Sequence, residues 1–169
     1  MGSEGRLRRD PIEVAIGNWS ARGWDDAAQG MAVVTSVMRV QQLLLRQVEE
    51  VLRPLGLTFA RYEVLMLLGF SRTGALPVGK VGERLQVHPA SVTNAVDRLE
   101  RDGFVERVAN PRDGRSVLAS ITPAGREVAA RASSALNQAV FTEIRLTGDE
   151  QASLYAILKE LRRAFGDFG

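Results

Sequence analysis

Residues 80–126 constrain the fold of this 169-residue chain more than any other stretch. Residues 80–85 predict a short helix, and residues 89–101 predict a second helix after a tight turn. Pro89 marks the start of the second helix, because a proline at the first helical position costs no hydrogen bond. His88 is the chain's single histidine, and its position directly before Pro89 predicts that it caps this helix or lies at the edge of a groove; a sensing or ligand-binding role is the alternative. Two helices joined by a tight turn are therefore predicted near the middle of the chain.

A β-hairpin is predicted directly after these helices. Residues 104–108 and 116–121 have strand composition, and residues 110–114 between them are dense in turn formers. Thr122 and Pro123 then give the signature of a new helix start. A short helix, a tight turn, a second helix and a hairpin, in this order, form a winged helix-turn-helix. The predicted fold class is mainly α with a small β-hairpin wing.

The second helix carries two different faces. Its apolar residues fall on one stripe at 3.6-residue spacing, and small hydrogen-bonding groups occupy the other side. Asparagine can pair bidentately with adenine, serine and threonine can contact bases or phosphates, and arginine favours guanine or phosphate. Any solvent-exposed helix shows a polar face, but a tight turn before it and a basic hairpin after it favour DNA contact. The predicted DNA-binding residues of this helix are Pro89, Ala90, Ser91, Thr93, Asn94 and Arg98.

The hairpin is more basic than the rest of the chain. Residues 107–126 contain four arginines and one acid, a local charge of +3 in a chain whose formal net charge is +2. We predict that Arg112 and Arg115 reach phosphates or a narrow minor groove, where negative potential attracts guanidinium groups. Asp113 is predicted to support the wing by holding one of these arginines. The alternative is a solvated charged hairpin.

Composition removes several classes of function. Cysteine is absent and histidine occurs once, which removes disulfides, thiol nucleophiles and most zinc, haem or iron–sulfur sites. No glycine-rich phosphate loop or nucleophile elbow is present. We therefore predict no catalytic residue, no metal and no cofactor. The longest apolar run near the middle, residues 64–68, is far below the ~20 residues of a membrane-spanning helix, so we predict no membrane contact. The absence of cysteine fits a reducing compartment, and we predict a cytoplasmic location.

Helical sequence flanks the central motif on both sides. Residues 31–53 show apolar positions at helical spacing, and Thr58 is predicted to cap the helix that follows. Further helices are predicted over 124–143 and from Thr147 onward, where a capping box is present. Such helices need an apolar partner, and the simplest partner is a second copy of the chain. Folding back onto the winged motif is the alternative.

Four segments are therefore predicted. They are a disordered leader at 1–10, an N-terminal helical extension and dimerisation helix at 11–57, the winged helix-turn-helix at 58–122, and C-terminal dimerisation helices at 123–169.

Three motifs resemble the multiple-antibiotic-resistance-regulator (MarR) family of bacterial transcription factors. They are SVTNAVDRLERDGFV at 91–105, NPRDGRS at 110–116 and ITPAG at 121–125, in the order in which the family carries them. One difference is Gly114, where the family often has a second basic residue in the wing. The resemblance covers the recognition helix, the wing and the start of the next helix.

The resemblance implies a function. The resemblance implies a homodimer whose terminal helices pair, whose two recognition helices enter successive major grooves, and whose wings reach the flanking minor grooves. It implies a repressor of nearby genes or of its own gene that binds a pseudo-palindromic operator and associates with the nucleoid when bound. A small molecule, often aromatic or anionic, would release the DNA by binding between the dimer helices and the DNA-binding module.

The ligand site is predicted more loosely. Trp24, Arg39, Tyr62 and Met66 fall where the family's pocket walls lie, and an aromatic ring with an arginine suits an aromatic acid. Ordinary core or dimer packing is the alternative role for each.

Two other functions compete with a ligand-released repressor. One is an effector-independent architectural or activating DNA-binding protein, which a lack of any ligand response would reveal. The other is a helical enzyme, for which the sequence offers no nucleophile and base pair.

Overall fold

The computed structural model describes residues 9–111, Asp113 and residues 116–169. About 70% of the chain is helical, and a small three-stranded antiparallel sheet completes the fold. The predicted fold class, mainly α with a β-hairpin wing, is confirmed. In chain order the elements are α1 Pro11–Ser20, α2 Asp25–Leu52, a 3-10 turn Arg53–Leu55, α3 Phe59–Phe70, β1 Ala75–Pro77, α4 Val78–Leu85, α5 Pro89–Arg101, β2 Val105–Ala109, β3 Val117–Ile121, α6 Pro123–Leu136, a π-helical turn Asn137–Phe141 and α7 Gly148–Ala164.

The sheet joins the hairpin to the helix-turn-helix. Its strand order is β1-β3-β2, with Val105 opposite Ile121 in the hairpin and Ala75 opposite Ser120 on the other edge. Because β1 runs directly into α4, it ties the start of the helix-turn-helix to the wing.

One hydrophobic core lies beneath the helix-turn-helix. Side chains from the end of α2, from α3, α4, α5, the sheet and α6 pack together in it. Leu65, Leu68, Val96, Leu99 and Leu136 are fully buried. Burying each such side chain stabilises the fold by roughly 1.5–3 kcal/mol, so this core fixes the position of α5.

The long N-terminal helix begins earlier than the sequence predicts. The sequence places its start at residue 31, but α2 begins at Asp25 and passes through Gly30 without a break. Glycine inside a helix costs about 1 kcal/mol relative to alanine, which packing can offset. Ala28 and Ala32 are buried, and their small side chains let α1 lie close to α2. Of the predicted leader, residues 1–8 lie outside the described residues, and Asp10 caps α1 by accepting from the Ile12 N–H at 2.9 Å.

Three helix starts follow the predicted threonine caps. The hydroxyl of Thr58 accepts from the Arg61 N–H, that of Thr122 from Gly125 and that of Thr147 from Glu150. The Glu150 carboxylate in turn accepts from the Thr147 N–H at 2.8 Å, which completes the predicted capping box. No helix in the described part of the chain is long and apolar enough to cross a bilayer.

Candidate nucleic-acid interface

The two helices of the helix-turn-helix cross closely. Gly82 on α4 is buried, and a Cβ at this position would lie 3.3 Å from Cγ2 of Val92 on α5, a contact tighter than usual. Gln86 then reverses the chain in the left-handed conformation, with φ of 53°, before α5 begins. The glycine and the turn together set α5 across α4.

The start of α5 is formed as the sequence predicts. Pro89 occupies its first turn, and Nδ1 of His88 accepts a hydrogen bond from the Ala90 N–H at 3.2 Å. His88 therefore acts as a helix cap, and its ring is directed to the backbone of its own helix.

The faces of α5 also follow the prediction. Val92, Ala95, Val96 and Leu99 are buried. The side chains predicted to contact DNA all lie on the exposed side, namely Pro89, Ala90, Ser91, Thr93, Asn94 and Arg98. The helix thus presents hydrogen-bonding groups on a rigid support.

Hydrogen bonds within α5 limit what its polar groups can offer. Oδ1 of Asn94 accepts from Nε of Arg98 at 3.1 Å, and the Thr93 hydroxyl donates to the carbonyl oxygen of Pro89 at 3.1 Å. The amide NH₂ of Asn94 and the terminal nitrogens of Arg98 make no bond within the described part of the chain. These groups are donors, which suits acceptor atoms on base edges and phosphates.

A cleft beside α5 contains a second arginine that sequence reasoning missed. The cleft has a volume of about 270 Å³ and lies between Thr58, Ala60 and Arg61 of one helix start and Ser91, Asn94 and Arg98 of α5. Arg61 is 15% exposed and forms an ion pair with Asp102 at 3.1 Å. The available signal was the cap at Thr58, since it places Arg61 in the first turn of a helix that faces α5.

The wing is fastened to α5 by Arg107 of β2. Its guanidinium lies 2.5 Å from Oδ1 of Asp97 and also contacts Glu100, and its backbone N–H donates to Glu100 at 3.2 Å. The hydrogen bond that Arg107 donates to Asp97 raises the pKa of Arg107 above its already high usual value, so its charge is permanent. Arg107 and Asp97 thus serve the wing's attachment, although the sequence shows them only as members of a basic hairpin and a polar helix face.

The tip of the wing is described only in part. Arg112 and Arg115, the predicted wing contacts, lie outside the described residues. At Asp113 the chain turns, with its N–H donating to the Asn110 carbonyl at 3.2 Å and its carbonyl accepting from the Ser116 N–H at 3.0 Å. The role predicted for the Asp113 side chain stays a prediction.

The predicted ligand residues separate into two groups. Tyr62 and Met66 line one groove, of about 470 Å³, which we call the α3 groove and which is also lined by Phe59, Glu63, Phe70 and Phe141. Trp24 lies outside it, 51% exposed and edge-to-face with Trp19 at 5.5 Å between ring centroids. Arg39 is exposed on α2, and Nη1 lies 3.5 Å from Oε1 of Gln42. Within the described residues no cluster of three or more metal-ligating side chains is present.

Comparison with known proteins decides the family. The family model of MarR matches residues 57–117. Multiple antibiotic resistance protein MarR of Escherichia coli K12 is 33% identical over 118 residues, which cover 69% of this chain and 81% of that protein. The chain belongs to the MarR family. Another relative in the comparison, HTH-type transcriptional repressor Rv2887 of Mycobacterium tuberculosis, is 31% identical over 138 residues, 81% of this chain and 95% of that protein.

Solved structures agree with this membership. Sco5413 of Streptomyces coelicolor, a MarR family transcriptional regulator, is 51% identical with a TM-score of 0.76, covering 83% of this chain and 97% of that chain. Sco3205 of the same organism, solved in complex with DNA, is 30% identical with a TM-score of 0.69, covering 78% of this chain and 85% of that chain. The chain is therefore a MarR-family transcriptional regulator with a winged helix fold, and not an enzyme.

Proposed function

We propose that this MarR-family chain is a repressor that binds double-stranded operator DNA through α5. The observation that carries the proposal is the exposed row of donors and small groups on α5, fixed by a buried apolar stripe. An α-helix fits the major groove, where each base pair presents a distinct pattern of acceptors and donors. The DNA complex of Sco3205 and the name of the repressor Rv2887 support the same function for this chain.

In this proposal the contacts divide into two kinds. The Asn94 amide, Ser91 and Thr93 face base edges, and Arg98 contacts a guanine or a phosphate. Arg112 and Arg115 of the wing contact phosphates or the flanking minor groove. Phosphate contacts set the register of the protein, whereas the base contacts choose the sequence.

We further propose that the protein acts as a homodimer. Apolar side chains along the middle of α2 are exposed in the single chain, with Val34 at 56% and Met38 at 62%. Helix α7 has no buried residue, and Tyr155 and Ile157 on it are 63% and 66% exposed. Helices with uncovered apolar faces need a partner, and a second copy related by a two-fold axis supplies one. The two copies of α5 would then contact the halves of a pseudo-palindromic operator.

The proposed regulator releases its operator when a small molecule binds beside the DNA-binding module. The α3 groove supports this step, because its volume of about 470 Å³ falls in the range of small-molecule sites and it contains Tyr62 and Met66. A molecule bound there would contact α3, which packs directly on α5. Such a regulator works where the chromosome is, in the cytoplasm and on the nucleoid.

A gel-shift titration against the gene's own upstream DNA tests the proposal. A scrambled duplex of equal length serves as the control, and salt is held fixed because phosphate contacts make affinity salt-dependent. We expect selective binding in the nanomolar range, typical of specific regulators. Equal, weak binding to both duplexes would instead support an architectural protein without sequence preference.

A further inference from the structure

The α3 groove carries one ionised group in an apolar surrounding. Of the described residues that line it, Glu63 alone is charged at neutral pH, whereas Phe59, Phe70, Leu67, Leu85 and Phe141 offer apolar surface. The groove therefore combines aromatic rings with a single negative charge.

Glu63 has no counter-ion within the described part of the chain. No described lysine or arginine forms an ion pair with it, and no hydrogen bond to its carboxylate is found there. Burial raises the pKa of Glu63, because the carboxylate loses part of its hydration and no positive charge replaces it. A cation placed against this carboxylate would compensate for the hydration that the carboxylate loses on burial.

The aromatic rings suit the same class of molecule. Phe70 and Phe141 are 81% and 48% exposed, so their ring faces are open at the edge of the groove. Aromatic rings stack on other rings and attract cations through their negative faces. An anion in the same place would meet the Glu63 carboxylate with no described cation lining the groove to offset the repulsion.

We infer that the α3 groove binds an aromatic cation, with its ammonium group against Glu63 and its rings among Phe59, Phe70 and Phe141. This ligand is aromatic, as the sequence suggested, but its charge is opposite to that of the aromatic acid considered there. The inference rests on the proposed function only in naming this molecule as the effector. Binding itself is a property of the DNA-free protein.

Isothermal titration of the DNA-free full-length protein tests the ligand class. The probes share one skeleton and differ in charge: 2-(1-naphthyl)ethylamine, the neutral 2-(1-naphthyl)ethanol and the anion 1-naphthaleneacetate. We expect the amine to bind at least about tenfold more tightly than the anion, a difference of about 1.4 kcal/mol. Equal affinity for the amine and the anion, or no binding by any probe, would overturn the inference.

Two variants measure the contributions of the Glu63 charge and of the aromatic rings to probe binding separately. Glu63→Gln is expected to abolish the preference for the amine while leaving the neutral probe's affinity unchanged. Phe141→Ala is expected to weaken all three probes by a similar factor. Glu127→Gln, which removes an exposed acid on α6, is the matched control and should leave the amine's affinity unaltered. An amine preference that survives Glu63→Gln would contradict the assignment. The comparison of the three probes on wild-type protein tests the ligand class even if a variant fails to fold.

A separate gel shift distinguishes this inference from the proposed function. Suppose that wild-type protein binds its operator and that the amine releases the DNA at concentrations near the amine's dissociation constant. Both the repressor proposal and the groove inference then hold. If the amine binds but no operator is found, the groove assignment holds and the repressor proposal fails. If sedimentation shows that Glu63→Gln weakens self-association, a second copy of the chain occupies the groove and the inference is overturned.

Discussion

The bond between Asn94 and Arg98 determines what α5 can offer to a base pair. Because Oδ1 of Asn94 already accepts from Arg98 at 3.1 Å, the amide is oriented, and its NH₂ makes no bond within the described part of the chain. Asn94→Ala removes this donor and also frees the Arg98 guanidinium. We expect operator affinity to fall by about 1–3 kcal/mol, with relaxed base preference at one position of the half-site.

Competition binding against single-base operator variants measures this effect. Asn18→Ala, an exposed asparagine on α1, is the control and should change neither affinity nor preference. An Asn94→Ala protein with full affinity and unchanged preference would show that α5 meets the groove in another orientation.

Glu63 makes a separate prediction about stability. Since burial raises its pKa above the ordinary value of 4.5, the folded state disfavours the carboxylate. The resulting loss in the free energy of unfolding is absent below pH 4.5. It grows as the pH rises above 4.5 and is complete above the raised pKa of the folded state. Glu63→Gln should therefore raise the melting temperature at pH 7, and its advantage over wild type should shrink as pH falls toward 4. A constant difference between the two melting curves at all pH values would contradict this origin.

Sequence periodicity predicted which side chains of α5 are exposed but not what they bind. The alternation of Val92, Val96 and Leu99 with polar residues follows directly from 3.6-residue spacing. The Arg61–Asp102 pair spans 41 positions and the Arg107–Asp97 pair spans 10 across two elements. No local pattern specifies such contacts, so the roles of these charges appear only in the folded chain.

At the scale of elements, the wing and α5 behave as one unit through Arg107. Its side chain is 28% exposed and those of Asp97 and Glu100 are 48% and 40% exposed, so solvent weakens each pair. Partly exposed pairs contribute about 0.5 kcal/mol each, so Arg107→Gln should cost about 1 kcal/mol of stability. The melting temperature should drop by roughly 2–4 °C.

A greater effect is expected on DNA binding, because β2, which leads to the predicted wing contacts, is then no longer attached to α5 through Arg107. Lys80→Gln is the matched control: it breaks the Lys80–Glu83 pair, whose side chains are 59% and 64% exposed, and should leave stability nearly unchanged. Equal losses of stability and of DNA affinity in both variants would mean that the Arg107 network does not position the wing.

Element boundaries were predictable where a cap or a proline marks them. Thr58, Pro89, Thr122 and Thr147 each begin a helix at or next to the predicted position. The start of α2 was not predictable in this way, because its N-cap residue Trp24 makes no side-chain cap bond and Gly30 suggested a break. There, packing of α1 on Ala28 and Ala32 outweighs the local cost of glycine.

At the scale of the whole molecule, the proposed homodimer is expected to bury the uncovered apolar faces of α2 and α7. A carboxylate placed in an apolar interface must lose its hydration, and two-fold symmetry introduces this cost twice. Ile157→Asp, at a side chain that is 66% exposed in the single chain, should therefore give a monomer in sedimentation velocity where wild type gives a dimer. Val117→Asp, at a 46% exposed valine on β3, is the control and should remain dimeric.

The Ile157→Asp variant also links assembly to DNA recognition. Wild type should protect two half-sites whose centres lie about 10 base pairs apart. The Ile157→Asp monomer should lose this paired footprint, because each half-site alone supplies only one α5 and one wing. A wild-type monomer in solution, or a paired footprint retained by Ile157→Asp, would show that the exposed faces of α2 and α7 have another partner.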